Sequence, residues 1–393
     1  MTVSGLPPLS LYLHMPWCVR KCPYCDFNSH TAGMKVPKDR YIGALVDDLA
    51  AEAASGRAAG RKLESIFIGG GTPSLFNGAQ IGRVLDAARH AFALQPDVEI
   101  TMEANPGTVE CGDLPGYLEA GVNRLSIGAQ SFDPAMLKVL GRIHGPAEIV
   151  QSCTSASRAG FRRINLDLMF GLPGQNTQLA CADIEQALAL QPSHISYYQL
   201  TLEPNTVFHS KPPANLPDDD TSWAIQEQGH NMLREAGFEQ YEISAFARPG
   251  ERCRHNLNYW QFGDYLAAGA GAHGKFTMPD GSVWRYAKPA HPLAYMEQVA
   301  GRHFSATASP VAEADLGFEF MLNVLRLPEG FSAERFRERT GLPLDLLEPK
   351  LKRAAAKGLV TSEGGTDWKP TALGLRFLND LQAEFLPPQA RLG

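Results

Sequence analysis

The sequence lacks the features that define several broad classes of protein. No apolar run approaches the roughly 18–20 residues that a membrane-spanning helix needs. The stretch 1–15 has neither a charged segment nor a small-residue cleavage site, so no signal peptide is predicted. Lys and Arg number 36 against 42 Asp and Glu, and the net charge of −6 disfavours nucleic-acid binding through phosphate neutralisation. These absences predict a cytoplasmic protein that does not bind nucleic acid.

The seven cysteines do not suggest a disulfide framework, because their number is odd and their spacing is uneven. Cys18, Cys22 and Cys25 fall within eight positions, and the other four are scattered along the chain. Thiolates are preferred ligands of iron–sulfur clusters and of zinc. Three thiolates on one loop favour a [4Fe–4S] cube with one iron left open. Zinc, with His14 or His30 as the nearest conceivable fourth ligand, and inert thiols are the alternatives.

Six short runs of apolar or alternating residues predict strands, each followed by a helical pattern. These runs cover residues 10–15, 63–70, 98–104, 124–130, 162–170 and 194–200. Helical patterns between them include residues 39–55, 79–92 and 176–190. The alternation predicts an α/β fold around a parallel sheet that is closed or partly closed as a β/α barrel. A doubly wound open sheet is the alternative.

Changes in composition divide the chain into three parts. The alternation ends near the proline-rich stretch 211–220, and we predict a core domain over residues 1–245. Residues 246–310 are predicted to be a connecting segment. Residues 311–393 show helical patterns, a short hairpin and a last helix, which predicts a small winged-helix-like domain. Because this part carries 12 acidic and 11 basic residues, a packing or lid role is favoured over DNA binding.

Polar residues cluster at the ends of the predicted strands. The glycines of GGGTPS (69–74) follow the second strand and would let a ligand approach the backbone closely. Glu103, Gln130 and Asp167 each lie at or near the C-terminal end of a strand, which is the end that carries the active site in β/α barrels. Their convergence beside the cysteine loop predicts ligand contacts at one mouth of the barrel.

The CxxxCxxC spacing, with Tyr24 between the last two cysteines, resembles the signature of radical S-adenosylmethionine (SAM) enzymes. The resemblance implies a partial (β/α)6 barrel and a cluster held by the three cysteines. In that family the open iron binds the amino and carboxylate groups of SAM, and the reduced cluster cleaves SAM to methionine and a 5′-deoxyadenosyl radical. The segment that holds the methionine end of SAM corresponds here to Gly70, Gly71 and Thr72.

A closer resemblance is to the coproporphyrinogen oxidase-like branch of that superfamily. The motifs that carry it are YLHMPWC (12–18), EANPG (103–107), IGAQSF (127–132), LGRIH (140–144) and NLDLMFGLPGQ (165–175). Position by position, the SAM contacts that it implies are Tyr12, Glu103, Gln130, Arg142 and Asp167. Arg142 could pair bidentately with a carboxylate, a geometry that lysine does not reproduce.

The chain differs from the oxidases of this branch at the position of their extra cysteine. Those enzymes have CxxxCxxCxC after a longer N-terminal segment, whereas Phe27 stands here at the extra cysteine. Phe27, CPYCDFNSH (22–30), HNLNYW (255–260) and GAGAHG (269–274) instead resemble a heme-chaperone branch. Its members bind heme, pass it to acceptor proteins and are not regarded as coproporphyrinogen decarboxylases. The resemblance therefore implies heme as ligand and an unidentified heme acceptor as partner, with peripheral membrane association only through that acceptor.

His255 of HNLNYW is the candidate ligand of heme iron, because it stands near aromatic residues that could stack on a porphyrin. The alternative is a core strand whose His and Asn satisfy backbone groups. His273 is a weaker candidate, and the absence of a CxxCH motif argues against covalently attached heme. No catalytic residue is predicted. A coproporphyrinogen III dehydrogenase, a radical SAM methylase and a zinc-stabilised barrel without catalysis are the alternatives to a heme chaperone.

Overall fold

The computed structural model describes residues 5–33, 36–107 and 113–387. Its largest element is one twelve-stranded sheet, and the six predicted strands form the parallel centre of that sheet. Numbered in chain order, they are β1 (Leu9–Met15), β2 (Leu63–Gly70), β3 (Leu94–Ala104), β4 (Arg124–Gln130), β5 (Arg163–Phe170) and β6 (His194–Gln199). The sequence located all six, although β3 begins earlier than predicted.

The six parallel strands lie side by side in the same order as in the chain. Right-handed crossovers between successive neighbours place the connecting helices on one face of the sheet. A doubly wound sheet would reverse its strand order near the middle, so the structure supports the partial barrel. The barrel is not closed by backbone pairing in the described residues, because β1 pairs with Asp264–Ala268 and β6 with Ala245–Ala247.

Helices connect and cover this parallel centre. The first eight are α1 (Lys38–Ala54), α2 (Gly78–Ala91), α3 (Leu114–Ala120), α4 (Pro134–Val139), α5 (Pro146–Ala159), α6 (Thr177–Ala189), α7 (Val207–Ser210) and α8 (Asp219–Glu235). In α1, Ile42, Leu45 and Leu49 recur at helical spacing and are fully buried, so this face packs into the main core. Within the described residues, no helix has both the length and the apolar character to cross a bilayer.

The segment 246–310 extends the main sheet, which the sequence pattern did not predict. The outer strands begin at the end of the predicted core domain with β7 (Glu239–Glu242) and β8 (Ala245–Ala247). The segment itself adds β9 (Asp264–Ala268), β10 (His273–Thr277), β11 (Val283–Ala287) and β12 (Thr307–Pro310). Two helices belong to this part, α9 (Arg254–Trp260) and α10 (Pro292–Ala300). The strand alternative for HNLNYW is wrong, because the motif forms α9. His255 and Asn258, three residues apart, are buried together on one face of that helix.

The C-terminal part has its own hydrophobic core. Its helices are α11 (Glu313–Val324), α12 (Ala333–Thr340), α13 (Glu348–Ala356), α14 (Ala372–Arg376) and α15 (Leu378–Ala383). Its small sheet contains β13 (Phe331–Ser332), β14 (Val360–Glu363) and β15 (Asp367–Pro370), and β14 and β15 are the predicted hairpin. The predicted last helix is not continuous, because it breaks at Phe377. Gly374 lets α14 pack closely on the wing, since a Cβ there would lie 1.9 Å from the carbonyl oxygen of Leu359.

Candidate functional site

A cleft of about 330 Å³ opens at the C-terminal ends of the parallel strands. This is the edge of the sheet where the sequence predicted ligand contacts. The predicted site residues that line it are Cys18, Cys22, Cys25, Gly70, Gly71, Thr72, Glu103, Gln130, Arg142 and Asp167. The other two predicted residues, Tyr12 and His255, are not in its wall. The structure thus brings most of the predicted set together, and their roles as ligands stay predictions.

The three cysteines lie on one loop that two short strands hold at its ends. Strand Trp17–Cys18 pairs in parallel with strand His30–Thr31, and we call the residues between them, 18–30, the cysteine loop. Each of the three thiols is half-buried and free of disulfide bonds. Burial raises the pKa of the Cys18 and Cys25 thiols. A metal centre that binds here must therefore displace thiol protons.

Arg142 connects the cysteine loop to the sheet. Its Nη1 donates a hydrogen bond to Sγ of Cys22 at 3.7 Å. Its Nη2 donates to the carbonyl oxygen of Gly128 at 3.0 Å and to the side chain of Asn105. The guanidinium is thereby fixed in the cleft wall, with its charge beside the thiols. Pairing with a SAM carboxylate, which the sequence predicted for this residue, stays a prediction.

The glycine turn after β2 is required by the protein's own packing. Gly70 has a φ of +113°, which side chains disfavour, and a Cβ there would lie 2.5 Å from the His14 ring. A Cβ on Gly71 would lie 2.6 Å from the carbonyl oxygen of Trp17. The N–H of Gly70 donates to Oε2 of Glu103 at 3.0 Å. The sequence assigned these glycines to ligand approach, and the structure adds that they let the turn fit beneath the cysteine loop.

Two carboxyl groups face the cleft from neighbouring parts of the sheet. Burial, reinforced by the charge of Asp167, raises the pKa of Glu103 to about 8, whereas the hydrogen bond from Gly70 acts in the opposite direction. Burial also raises the pKa of Asp167, although its oxygens accept hydrogen bonds from Ser126 at 3.0 Å and from Asn165 at 2.8 Å. A cationic group bound between the two carboxyls would favour their ionised forms.

Replacing Glu103 with glutamine is expected to stabilise the cluster-free protein at alkaline pH. The raised pKa means that the folded chain holds a proton that the unfolded chain releases near pH 4.5. Stability therefore falls as the pH rises from about 4.5 to about 8. The amide of the substituted side chain cannot ionise and escapes this loss. Because the carboxyl is only half-buried, we expect a gain of about 1–2 kcal/mol at pH 8 and little change at pH 5.

Urea unfolding of the wild-type protein and of Glu103→Gln at pH 5 and pH 8 measures this difference. Glu334→Gln, at an exposed position of α12, is the matched control, and its free energy of unfolding should equal that of the wild type at both pH values. A Glu103→Gln variant that is less stable than the wild type at pH 8 would contradict the raised pKa.

Gln130 shows the signs of backbone strain held at a functional position. Its φ is +66°, in the left-handed region that non-glycine residues rarely adopt. It stands at an irregularity where the register between β4 and β5 shifts. Its side chain hydrogen-bonds the Tyr198 hydroxyl, yet its Oε1 is buried without a partner among the described residues. An orphaned acceptor in the cleft wall is suited to a hydrogen-bond donor of a bound ligand.

His14 is not available as a fourth metal ligand. Its Nδ1 lies 3.0 Å from the Tyr12 hydroxyl and its Nε2 lies 2.9 Å from the carbonyl oxygen of Asn28. Burial lowers the pKa of His14 to about 4, so the ring is neutral at physiological pH. The structure thus removes one of the two fourth ligands that were considered for zinc.

Tyr12 lies below the cleft, inside the barrel. Its ring stacks on Phe67 with centroids 6.2 Å apart, and its hydroxyl is engaged with His14. Burial raises the pKa of Tyr12 well above its ordinary value. In this structure Tyr12 supports the residues around the cleft, and its direct contact with SAM stays a prediction.

His255 lies on α9, close to the N-terminal ends of β1 and β2 and away from the cleft. The side chain is 8% exposed and its Nδ1 is 3.2 Å from Oγ of Ser65. Its ring packs beside Phe67 and Tyr12, and burial lowers its pKa to about 3. His255 lies outside the cleft wall in these buried surroundings, and its role as a heme ligand stays a prediction.

Asn28 is an anchoring residue of the cysteine loop, and sequence reasoning missed its role. Its Nδ2 donates to the carbonyl oxygens of Ala270 and Ala290, at 2.9 and 2.8 Å. Gly271 leaves the space that this side chain occupies, because a Cβ there would lie 2.1 Å from Nδ2. We call these two bonds the Asn28 clamp. The clamp joins two motifs that were noted separately in the sequence, CPYCDFNSH and GAGAHG. Their joint occurrence in one chain was the one sequence signal that could have pointed to this contact.

Comparisons with known proteins agree with this geometry. Residues 12–184 match the model of the radical SAM superfamily, and residues 311–377 match that of the HemN C-terminal domain. The chain is 51% identical to "Heme chaperone HemW" of Escherichia coli (strain K12) over 381 residues, which cover 97% of this chain and 99% of that protein. It is 36% identical to the protein of the same name from Bacillus subtilis (strain 168) over 362 residues, with coverage of 89% and 92%.

A solved structure has the same fold. It is that of coproporphyrinogen III oxidase (HemN) from Escherichia coli, described as a radical SAM enzyme. The TM-score is 0.81, and the match covers 96% of this chain and 90% of the other. The two sequences are 24% identical, so this likeness establishes the architecture alone.

Proposed function

We propose, from the premise that this chain belongs to the HemW family of radical SAM proteins, that it binds heme and passes it to an acceptor protein. We further propose that the cleft holds a [4Fe–4S] cluster and SAM. The near full-length likeness to HemW proteins supports heme binding and transfer. The observation that carries the cluster and SAM is the set of three half-buried thiols in one cleft wall.

The residues of the cleft fit these groups. Cys18, Cys22 and Cys25 would ligate three irons, and the fourth iron would be left for SAM. When bound, such a cluster supplies one-electron chemistry and an open metal position. The turn that begins at Gly70 would receive the methionine end of SAM, and the orphaned Oε1 of Gln130 would accept a hydrogen bond from the cofactor.

Charged residues of the cleft would orient SAM. Glu103 and Asp167 place carboxyl oxygens where a cationic group is favoured, and a bound cation would favour their ionised forms. Arg142 presents a guanidinium that is already fixed by Gly128, and it would pair with the carboxylate of SAM. In this arrangement the chain would bind and orient the charged methionine end of the cofactor.

Phe27 supports the chaperone over the oxidase. The side chain lines the cleft and is 57% exposed. The position therefore offers an aromatic surface to solvent where the oxidases of this branch carry a further thiol. Coproporphyrinogen III dehydrogenase and a methylase stay as alternatives, and the structure has no observation that favours either.

We propose that the C-terminal part acts as a packing module on the core. Its hydrophobic core includes Phe262 and Val283, which belong to the connecting segment 246–310. Together with the balanced charge of residues 311–393, this contact supports packing and gives no reason to expect nucleic-acid binding. We expect a cytoplasmic protein that meets membranes only through its heme acceptor.

Heme titration tests the proposed function. Anaerobically reconstituted full-length protein is expected to give a saturable Soret change that ends at about one heme per chain. The same sample, incubated with SAM, a reductant and coproporphyrinogen III, should form no protoporphyrinogen. A Soret change that does not saturate, or formation of protoporphyrinogen, would refute the chaperone assignment.

A further inference from the structure

A second cavity, of about 500 Å³, lies at the far end of the cysteine loop. This size falls within the roughly 300–1,000 Å³ of small-molecule and cofactor sites. Its wall includes Trp17, His30, Val36, His291 and Leu293. We call it the His30 groove. Ser29 lines both the groove and the cleft, so the two cavities lie on either side of the same loop.

Two imidazoles meet in the wall of the groove. The rings of His30 and His291 are 5.4 Å apart, centroid to centroid, and lie edge to face at 76°. Nε2 of His30 is buried and has no hydrogen-bond partner among the described residues. Burial lowers the pKa of His30, and the nearby His291 lowers it further. A hydrogen bond to the backbone of Ala290 acts on that pKa in the opposite direction. The unpartnered Nε2 is the nitrogen through which a neutral imidazole would bind iron.

The wall of the groove offers apolar surface beside its polar groups. Apolar side chains contribute to its wall, and Leu293 among them is 47% exposed. A flat apolar macrocycle would cover this surface and gain from its burial. Lys21 lies near enough to His30 for its charge to lower the pKa of that ring. Nζ of Lys21 donates to the carbonyl oxygen of Phe27 at 3.1 Å, outside the groove wall, and its charge would attract the propionate carboxylates of heme.

The Asn28 clamp holds the two histidines in place. Asn28 is two residues before His30 in the chain, and its Nδ2 bonds the carbonyl oxygen of Ala290, which directly precedes His291. One side chain thus ties together the two segments that carry the imidazoles. The pairing of His30–Thr31 with Trp17–Cys18 fixes the backbone of His30 as well. A ligand that enters the groove meets a prepared pair of rings.

We infer that the His30 groove is the heme site, with Nε2 of His30 as axial ligand of the iron and His291 as a positioning residue against its ring. This inference rests on the proposed function that the protein binds heme. The side chains of His291 and Leu293 on the outer wall are exposed, and their rotation gives the iron access to the buried nitrogen. A site at the surface also suits the transfer of heme to another protein.

The test is a hemin titration of anaerobically reconstituted full-length protein, read from the Soret band and from the iron–histidine stretching signal in the resonance Raman spectrum of the reduced heme. His30→Ala should lose that signal and raise Kd at least tenfold, and free imidazole should restore the signal. His291→Ala should raise Kd several-fold but keep the signal. His255→Ala and the surface control His303→Ala should match the wild type. Acid-labile sulfide, measured on every variant, reports whether the cluster is intact.

Leu293→Glu keeps the inference testable if His30→Ala does not fold. This exposed position tolerates a charge, and a carboxylate there would repel the propionates, so we expect heme binding at least tenfold weaker with normal sulfide content. If His30→Ala and Leu293→Glu bind heme as tightly as the wild type, the inference is overturned. It is also overturned if His255→Ala loses the signal while His30→Ala keeps it. If the wild type itself binds no heme, the proposed function fails, which is a distinct outcome.

Discussion

Cys22→Ser is expected to lower the iron content of the reconstituted protein from about four atoms per chain to below one. Cys22 is one of three thiols in the cleft, and its Sγ is held by Arg142. With only two thiols left on the loop, a cube would have two unprotected irons and would be lost. The EPR signal of the reduced cluster, and its change on addition of SAM, should disappear together with the iron.

Cys181→Ser is the matched control for this experiment. Cys181 lies on α6, outside the cleft wall, and is also a half-buried free thiol. The variant should keep the iron content and the EPR signal of the wild type. Zinc without iron in the wild-type protein, or a Cys22→Ser variant that retains four irons, would refute the cluster.

Lys288→Ala is expected to destabilise the fold by about 3–5 kcal/mol. Nζ of Lys288 is fully buried and lies 2.6 Å from a carboxylate oxygen of Asp48 and 2.6 Å from one of Glu52. Removal of the ammonium leaves the buried carboxylate of Asp48 without its cation, and the neighbouring Glu52 keeps only its pair with Arg57 at 2.9 Å. Burial already raises the pKa of Asp48, and the attraction of Lys288 opposes that shift. The loss is measured as a decrease in the free energy of urea unfolding.

Lys352→Ala gives the matched surface comparison. Lys352 pairs with Glu348 at 2.8 Å on the exposed side of α13, and such pairs contribute only about 0.3–0.5 kcal/mol. The two lysine substitutions should therefore differ by several kcal/mol. If both substitutions lower the free energy of unfolding by the same small amount, the attraction of the buried Lys288 ammonium does not offset the desolvation of Asp48 and Glu52.

The sequence was informative where neighbours in the chain determine the structure. Each parallel strand was predicted because its apolar residues are consecutive or alternate over a few positions, and the turn that follows is local too. The cleft was predicted because parallel strands bring their C-terminal ends to one edge, which makes Glu103 and Asp167 neighbours without further information. Burial of those carboxyls, and with it the raised pKa of Glu103, depends on the surrounding fold.

Features that depend on distant pairing were not predictable from local patterns. Strand β9 pairs in parallel with β1, where Asp264 lies opposite Leu9, and no local pattern signals that partnership. The Asn28 clamp joins residues 242 and 262 positions apart. Helix α9 is only seven residues long, too short for its period to be distinguished from that of a strand. His30 was considered only as a metal ligand, because its neighbour His291 is far away in the chain.

The cysteine loop makes the two proposed sites thermodynamically linked. Cys25 and His30 are five residues apart on a segment that Asn28 fixes to the sheet. The segment is ordered before either site is occupied, because the Asn28 clamp and the pairing of His30–Thr31 with Trp17–Cys18 hold it. Neither ligand therefore bears the conformational-entropy cost of ordering it, and a shift of the segment that one ligand causes would reach the other site. By linkage, the factor by which the cluster changes heme affinity equals the factor by which heme changes cluster affinity.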